Sequence, residues 1–236
     1  EDKIPRARGE APDPKISVVD YVNENMREVT VQIGQNKVIY RHYPDYIESE
    51  AIVFEKFDAV RRTDTAAANR KLLADGSFLT DPETGEKAMR TDHPNMPIDE
   101  KGHLFPHMFG PNFGPANYLA QHYTVNGKTI YNMEMIQADA IVNENSFTHF
   151  STRATLDSSG RPTGYHAIAD IYDRDTGKQW LRIDGAVPNA DHDVFDRNPA
   201  NSQVNIYDLD MRANNLGNIK EYGMSSGSVT WINFDQ

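Results

Sequence analysis

Two stretches of period-two alternation decide most of what this chain can become. Between Arg27 and Tyr43, Val29, Val31 and Ile33 alternate with polar residues, Gly34-Gln35-Asn36 interrupts, and Val38 and Tyr40 resume. Farther along, Tyr165, Ala167, Ala169 and Ile171 alternate, Asp175-Thr176-Gly177 interrupts, and Gln179 to Val187 continues through Trp180, Leu181 and Ile183. Successive side chains of an extended chain point to opposite faces, so each pattern reads as a β-hairpin with one apolar face. Such a face needs a cover. One is available: Ile130, Met133, Ile136, Ala140 and Ile141 fall near helical spacing, which predicts a helix from about Asn126 or Gly127 to Val142. The expected class is α+β, a mixed antiparallel sheet backed by a helix.

Further strands are expected at Lys15 to Arg27, Tyr46 to Val60, Thr148 to Leu156, Val204 to Leu209 and Val229 to Phe234. Arg61 to Leu73 is alanine-rich and reads as a short helix. Its Arg61, Arg62, Arg70 and Lys71 form either a solvated face or a phosphate-contacting one. Asp75 to Pro97 reads as a long loop, and residues 1–14, rich in proline and charge, as a flexible N-terminal arm. Residues 15–236 then form one domain, with a C-terminal extension from about 188.

The chain has 236 residues, enough to bury a real core, and no cysteine, which excludes disulfides and thiolate metal sites. No run approaches the roughly 18 consecutive apolar residues of a membrane-spanning helix, so no membrane partner is expected. The start of the chain has no apolar signal-peptide core. It suits equally a mature N-terminus after cleavage or a domain from a longer chain. The net charge of -11 runs against the basic footprint usual for proteins that grip phosphates, unless a bound cation supplies the positive field locally.

The stretch from Asp99 to Glu134 carries the chemistry. His103 follows Gly102, an Asn117-Tyr118-Leu119-Ala120-Gln121 run comes next, and Asn126 precedes Glu134 by eight positions. On one helix Asn126, Ile130 and Glu134 would share a face. A neutral histidine takes a proton from water near neutral pH. Magnesium prefers hard oxygen ligands and keeps most of its waters. Histidine, amide oxygen and carboxylate together make a kit for metal-assisted phosphodiester hydrolysis. Asn126 read alone is a good helix N-cap and nothing more.

In this order the residues resemble the DNA/RNA non-specific endonucleases of the ββα-metal (His-Me finger) superfamily, whose hallmark is Asp-Arg-Gly-His, then Asn-Leu-x-Pro-Gln, then Asn with Glu eight positions on. Here these read Glu100-Lys101-Gly102-His103, Asn117 to Gln121, and Asn126 with Glu134. His103-Leu104 followed by Phe109-Gly110, and Gly160-Arg161-Pro162-Thr163 downstream, resemble the bacterial toxin-type members. The resemblance covers about Arg61 to Ile183. It implies a ββα-metal core over about 99–143 and a magnesium-dependent (or manganese-dependent) endonuclease acting on DNA or RNA. In that reading His103 is the general base, Asn126 the main metal ligand, and Glu134 a holder of metal-bound water. Lys101 and Arg161 are the candidates for phosphate or transition-state contact. A secreted or exported protein, with a small cognate inhibitor or immunity protein as partner, would fit that subgroup. Lys101 replaces the usual arginine, Ala120 stands where the proline belongs, and Ala138 stands where some relatives carry an arginine. These departures keep a second reading in view, a non-catalytic binding or structural module on a decayed nuclease fold.

Two other constellations compete for a metal. His103 and His107 are four apart, but Pro106 between them argues against a zinc-holding helix. Asp191-His192-Asp193 with Asp196 lacks the glycine and terminal glutamate of an EF-hand loop, and a solvated acidic turn is expected there.

Overall fold

The computed structural model describes residues 16–57, 71–72, 78–79, 99–110, 115–122, 125, 130–189, 203–210, 212–216 and 229–233. Both hairpins form. β1 (Ile16–Val22), β2 (Arg27–Ile33), β3 (Asn36–His42) and β4 (Tyr46–Val53) run antiparallel in sequence order. β9 (Ser146–Leu156), β10 (Pro162–Asp173) and β11 (Gln179–Pro188) continue the sheet, and β12 (Gln203–Asp208) pairs with β11. β13 (Val229–Asn233) closes it, parallel to β12. The result is one nine-stranded sheet in the order β1-β2-β3-β4-β9-β10-β11-β12-β13.

The chain between β4 and β9 holds two small ribbons and a helix. β5 (Lys71–Leu72) pairs with β6 (Phe78–Leu79), and β7 (Asp99–His103) with β8 (Tyr118–His122). The helix α1 is Tyr131–Asn143. One expectation changes here. Lys71 and Leu72 lie in a strand rather than at the end of a helix, with Leu72 opposite Phe78, so pairing with an apolar strand overrides the local helical composition. The rest of the basic segment, residues 61–70, lies outside the described residues. The described helix α1 carries Glu134, with Ile130 just before it; Asn126, where the helix is expected to begin, lies outside the described residues.

Alternation sorts the sheet into two unlike faces. Val29, Val31 and Ile33 from β2, Val38 and Tyr40 from β3, Phe150 from β9, and Trp180 and Ile183 from β11 are all buried on one side. α1 seals that side with Met133, Ile136, Ala140 and Ile141. Met133 reaches β11 at Gly185, where an added Cβ would come within 2.9 Å of its sulfur. Trp180 donates its indole N–H to Ser146 Oγ at 3.0 Å, so the largest core side chain leaves no polar atom stranded. The opposite face is wet. Register aligns Glu28, Arg41, Glu48, Arg153 and His166 in one row across five strands. Arg41 meets Glu28 at 2.9 Å and Glu50 at 3.4 Å, His149 meets Glu50 at 3.0 Å, and His166 meets Asp184 at 2.7 Å. Alternating charge across neighbouring strands suits this face to water.

The β10–β11 turn has its own fastening. Asp173 accepts the backbone N–H groups of Asp175 and Thr176 at 3.0 and 2.9 Å, and the Arg212 guanidinium at 2.8 Å. The Thr176 N–H and the Arg212 cation hold its carboxyl down at about 2. A carboxylate held below its unfolded value of about 3.9 stabilises the fold above that pH and stops doing so as the pH falls through about 2. Denaturant midpoints measured down this acid window should therefore fall more steeply for wild type than for Asp173→Asn. Parallel curves for the two proteins would refute the linkage.

Candidate active site

The segment carrying His103 rests on polar residues that rise from the apolar face of the sheet. Asn36, at the start of β3 and fully buried, donates to the carbonyls of Glu55 at 2.8 Å and Phe109 at 2.7 Å. Its oxygen accepts the N–H groups of Phe54 and Glu55 at 2.7 and 3.1 Å. His42, at the other end of β3, bonds the Ala116 carbonyl through Nε2 at 2.9 Å, and burial pushes its pKa down, which keeps the ring neutral. Ser49 donates to the Leu104 carbonyl at 3.3 Å. Three polar side chains in the core-facing phase of β3 and β4 thus hold both sides of the loop that follows His103.

Asn117 closes that loop. It is buried; its oxygen accepts Phe105 N–H at 2.8 Å and its amide donates to the Phe105 carbonyl at 3.0 Å. Its own carbonyl accepts Leu104 N–H at 3.1 Å. The asparagine that opens the motif run is therefore a clamp on the two residues next to His103. His103 ends β7 opposite Tyr118 and is half-buried.

Gly102, one residue earlier, is required by packing. An added Cβ would lie 2.5 Å from both Cβ and Oε1 of Gln121, its diagonal neighbour on β8. Gln121 is buried, and among the described residues its Oε1 has no hydrogen-bond partner. A Cβ–Cβ clash this near the backbone cannot be relieved by turning a side-chain tip. Gly102→Ala should cost about 1–3 kcal/mol and should reduce any activity that depends on His103 by displacing the strand end. A melting temperature equal to wild type would show that the ribbon shifts freely.

The ribbon and α1 lie on the same sheet face. Tyr165 donates its hydroxyl to the Ala120 carbonyl at 3.3 Å, and Asn189 donates its amide to the same oxygen at 3.0 Å. In the β10–β11 register Tyr165 is opposite Val187, and two residues on, Ala167 is opposite Gly185, where Met133 sits. The β8 end of the ribbon and the first turn of α1 are thus neighbours on the sheet. Glu134 lies in that first turn, half-buried, where the helix dipole favours a carboxylate.

Of the residues singled out from sequence, His103 and Glu134 stand at the strand end and the helix start. Lys101 lies in β7 opposite Ala120, with its side chain outside the described set. Asn126 lies outside the described residues, as do Asp191, His192, Asp193 and Asp196. Arg161 sits in the β9–β10 turn that Gly160 (φ 79°) and Asp157 shape. Its guanidinium donates to the carbonyls of Pro162 at 3.3 Å and Asn189 at 3.2 Å. Asn189 in turn holds Ala120, so Arg161 reaches the ribbon through one intermediary. His107 opens a single 3-10 turn, His107–Phe109, right after Pro106, and its ring centroid is 6.4 Å from that of His103, which is not a helical pair. Ala138 is buried in α1, so that position presents no cation to the site. Among the described residues, no three His, Asp or Glu side chains gather as a metal cluster. Sequence reading missed Asn36, His42, Ser49 and Asn189 as supports. The available signal was a polar residue in the apolar phase of a strand.

No family model matches the chain, and no curated protein matches it. Among solved structures it is similar to NucA from Streptococcus agalactiae with magnesium ion bound, at 14% identity and a TM-score of 0.43, covering 74% of this chain and 83% of that one. A likeness of that size leaves the chemistry to this chain's own residues.

Proposed function

We propose that the chain is a magnesium-dependent endonuclease that hydrolyses phosphodiester bonds in DNA, with RNA as a second substrate class. The observation that carries this reading is the order of parts on one sheet face: an antiparallel ribbon ending in half-buried His103, then a helix with Glu134 in its first turn. This is the order expected of a ββα-metal core. The Asn117 clamp adds support, because it fixes the backbone beside the histidine rather than filling space.

His103 takes the proton from the attacking water. Asn126 would hold the ion and Glu134 one of its waters; an amide oxygen and a carboxylate are hard donors that suit a magnesium that keeps most of its waters. When bound, the ion supplies positive charge against the phosphate's added negative charge. Lys101, on the same short strand as His103, and Arg161 are the candidate cations for the substrate phosphate. Arg161 would have to share its guanidinium with the carbonyls it already serves. Recognition through phosphates rather than base edges gives little sequence preference.

Plasmid DNA incubated with the protein and magnesium should be degraded, and a chelator should stop it. The overall charge is -11, so substrate capture depends on local positive charge and activity should fall steeply with added salt. Intact plasmid under all conditions would favour the non-catalytic binding module. A small cognate inhibitor and export from the cell belong to the same proposal, and co-purification from the native source tests both.

A further inference from the structure

β1 is an edge strand that carries none of the usual protections in its own residues. Val18, Val19, Tyr21 and Val22 are 56, 65, 57 and 66% exposed. Its inner edge pairs with β2 without a register break, and no other strand among the described residues pairs with its outer edge. Natural edge strands are blunted by lysine, proline, bulges or inward charges. β1 has no lysine and no proline, and its one charge, Asp20, is already bound by Arg27 at 2.7 Å. The apolar residues fall on both faces: register puts Val18 beside Val31 on the core side, and Val19 beside Thr30 on the wet side.

We propose that the outer edge of β1 pairs antiparallel with the β1 edge of a second copy, joining two sheets across a two-fold axis. The strand's own sequence selects the register. A two-fold axis through Val19 pairs all seven residues of the strand: Val19 faces Val19, Val18 faces the partner's Asp20, Ser17 faces the partner's Tyr21, and Ile16 faces the partner's Val22. An axis through Asp20 would set two carboxylates against each other, which is unfavourable. An axis through Val18 would leave Tyr21 and Val22 without opposite residues. With Asp20 held by its own Arg27, the Val19 register buries no unpaired charge. A single strand pair is a small interface, so the association belongs at the weak, concentration-dependent end of the scale. This inference does not depend on the nuclease reading.

Sedimentation of the full chain across a micromolar series should show a monomer–dimer equilibrium, and Val19→Lys, which sets two ammonium groups on the axis, should weaken it about tenfold or more. The chain has no cysteine, so single cysteines report the register cleanly. Val19→Cys should oxidise to a covalent dimer. Val18→Cys should not, because across this register the two Val18 positions are diagonal and beyond the roughly 7 Å a disulfide tolerates. A monomer at every concentration, a dimer that Val19→Lys leaves intact, or equal cross-linking from both cysteine variants would each overturn the proposal.

Discussion

His103→Ala should lower magnesium-supported plasmid cleavage by about 10³-fold, with a melting temperature close to wild type. The size follows from the job: without a base, water must lose its proton to bulk solvent as it attacks. The neutrality of the fold follows from position, because His103 is half-buried at a strand end and Asn117, Ser49 and Asn36 hold the loop beyond it. Added imidazole should restore part of the lost rate. Cleavage within a few-fold of wild type would remove His103 from the chemistry, and a collapsed fold would mean its role is structural.

Asn117→Ala should damage both fold and activity. The buried amide answers the N–H and C=O of Phe105 at once, and alanine leaves both backbone groups without that partner in the interior. The cost of stranding buried polar groups is about 1–3 kcal/mol each, so a loss of about 2–6 kcal/mol is expected. The folded remainder should cleave more slowly, because Leu104 and Phe105 fix the backbone next to His103. Asn117→Asp is the informative companion: it keeps the acceptor for Phe105 N–H and loses the donor to the Phe105 carbonyl, so it should fall between wild type and alanine. Full stability in the alanine variant would show that water replaces the amide at no cost.

The sheet was legible because alternation is a physical signature. Val29, Val31 and Ile33 cannot alternate with polar neighbours in a strand without making one wet and one dry face, and the structure pairs them as expected. The helix was legible in its buried face, which includes Met133, Ile136 and Ala140. Lys71 and Leu72 were misread because tertiary pairing outweighs local propensity: alanine-rich surroundings suggest a helix, and a pairing partner at Phe78 and Leu79 makes a strand. The site was legible in types but not in supports. Gly102 beside His103 could be noticed in the sequence, yet the reason for the glycine, Gln121 lying across its α-carbon, depends on β7 and β8 being paired. Asn36 and Asn189 make their bonds to residues far away in the chain, at Phe109 and Ala120, and no local pattern encodes such reach.

The most direct test of the proposed centre is a crystal structure of the protein soaked in manganese, with the ion located by its anomalous signal. The expected result is an ion bound by the Asn126 side-chain oxygen, with Glu134 holding one of its waters and the His103 ring within reach of the same space. An ion found at Asp191 and Asp193 instead, or a His103 ring pointing away from Asn126, would contradict the assignment.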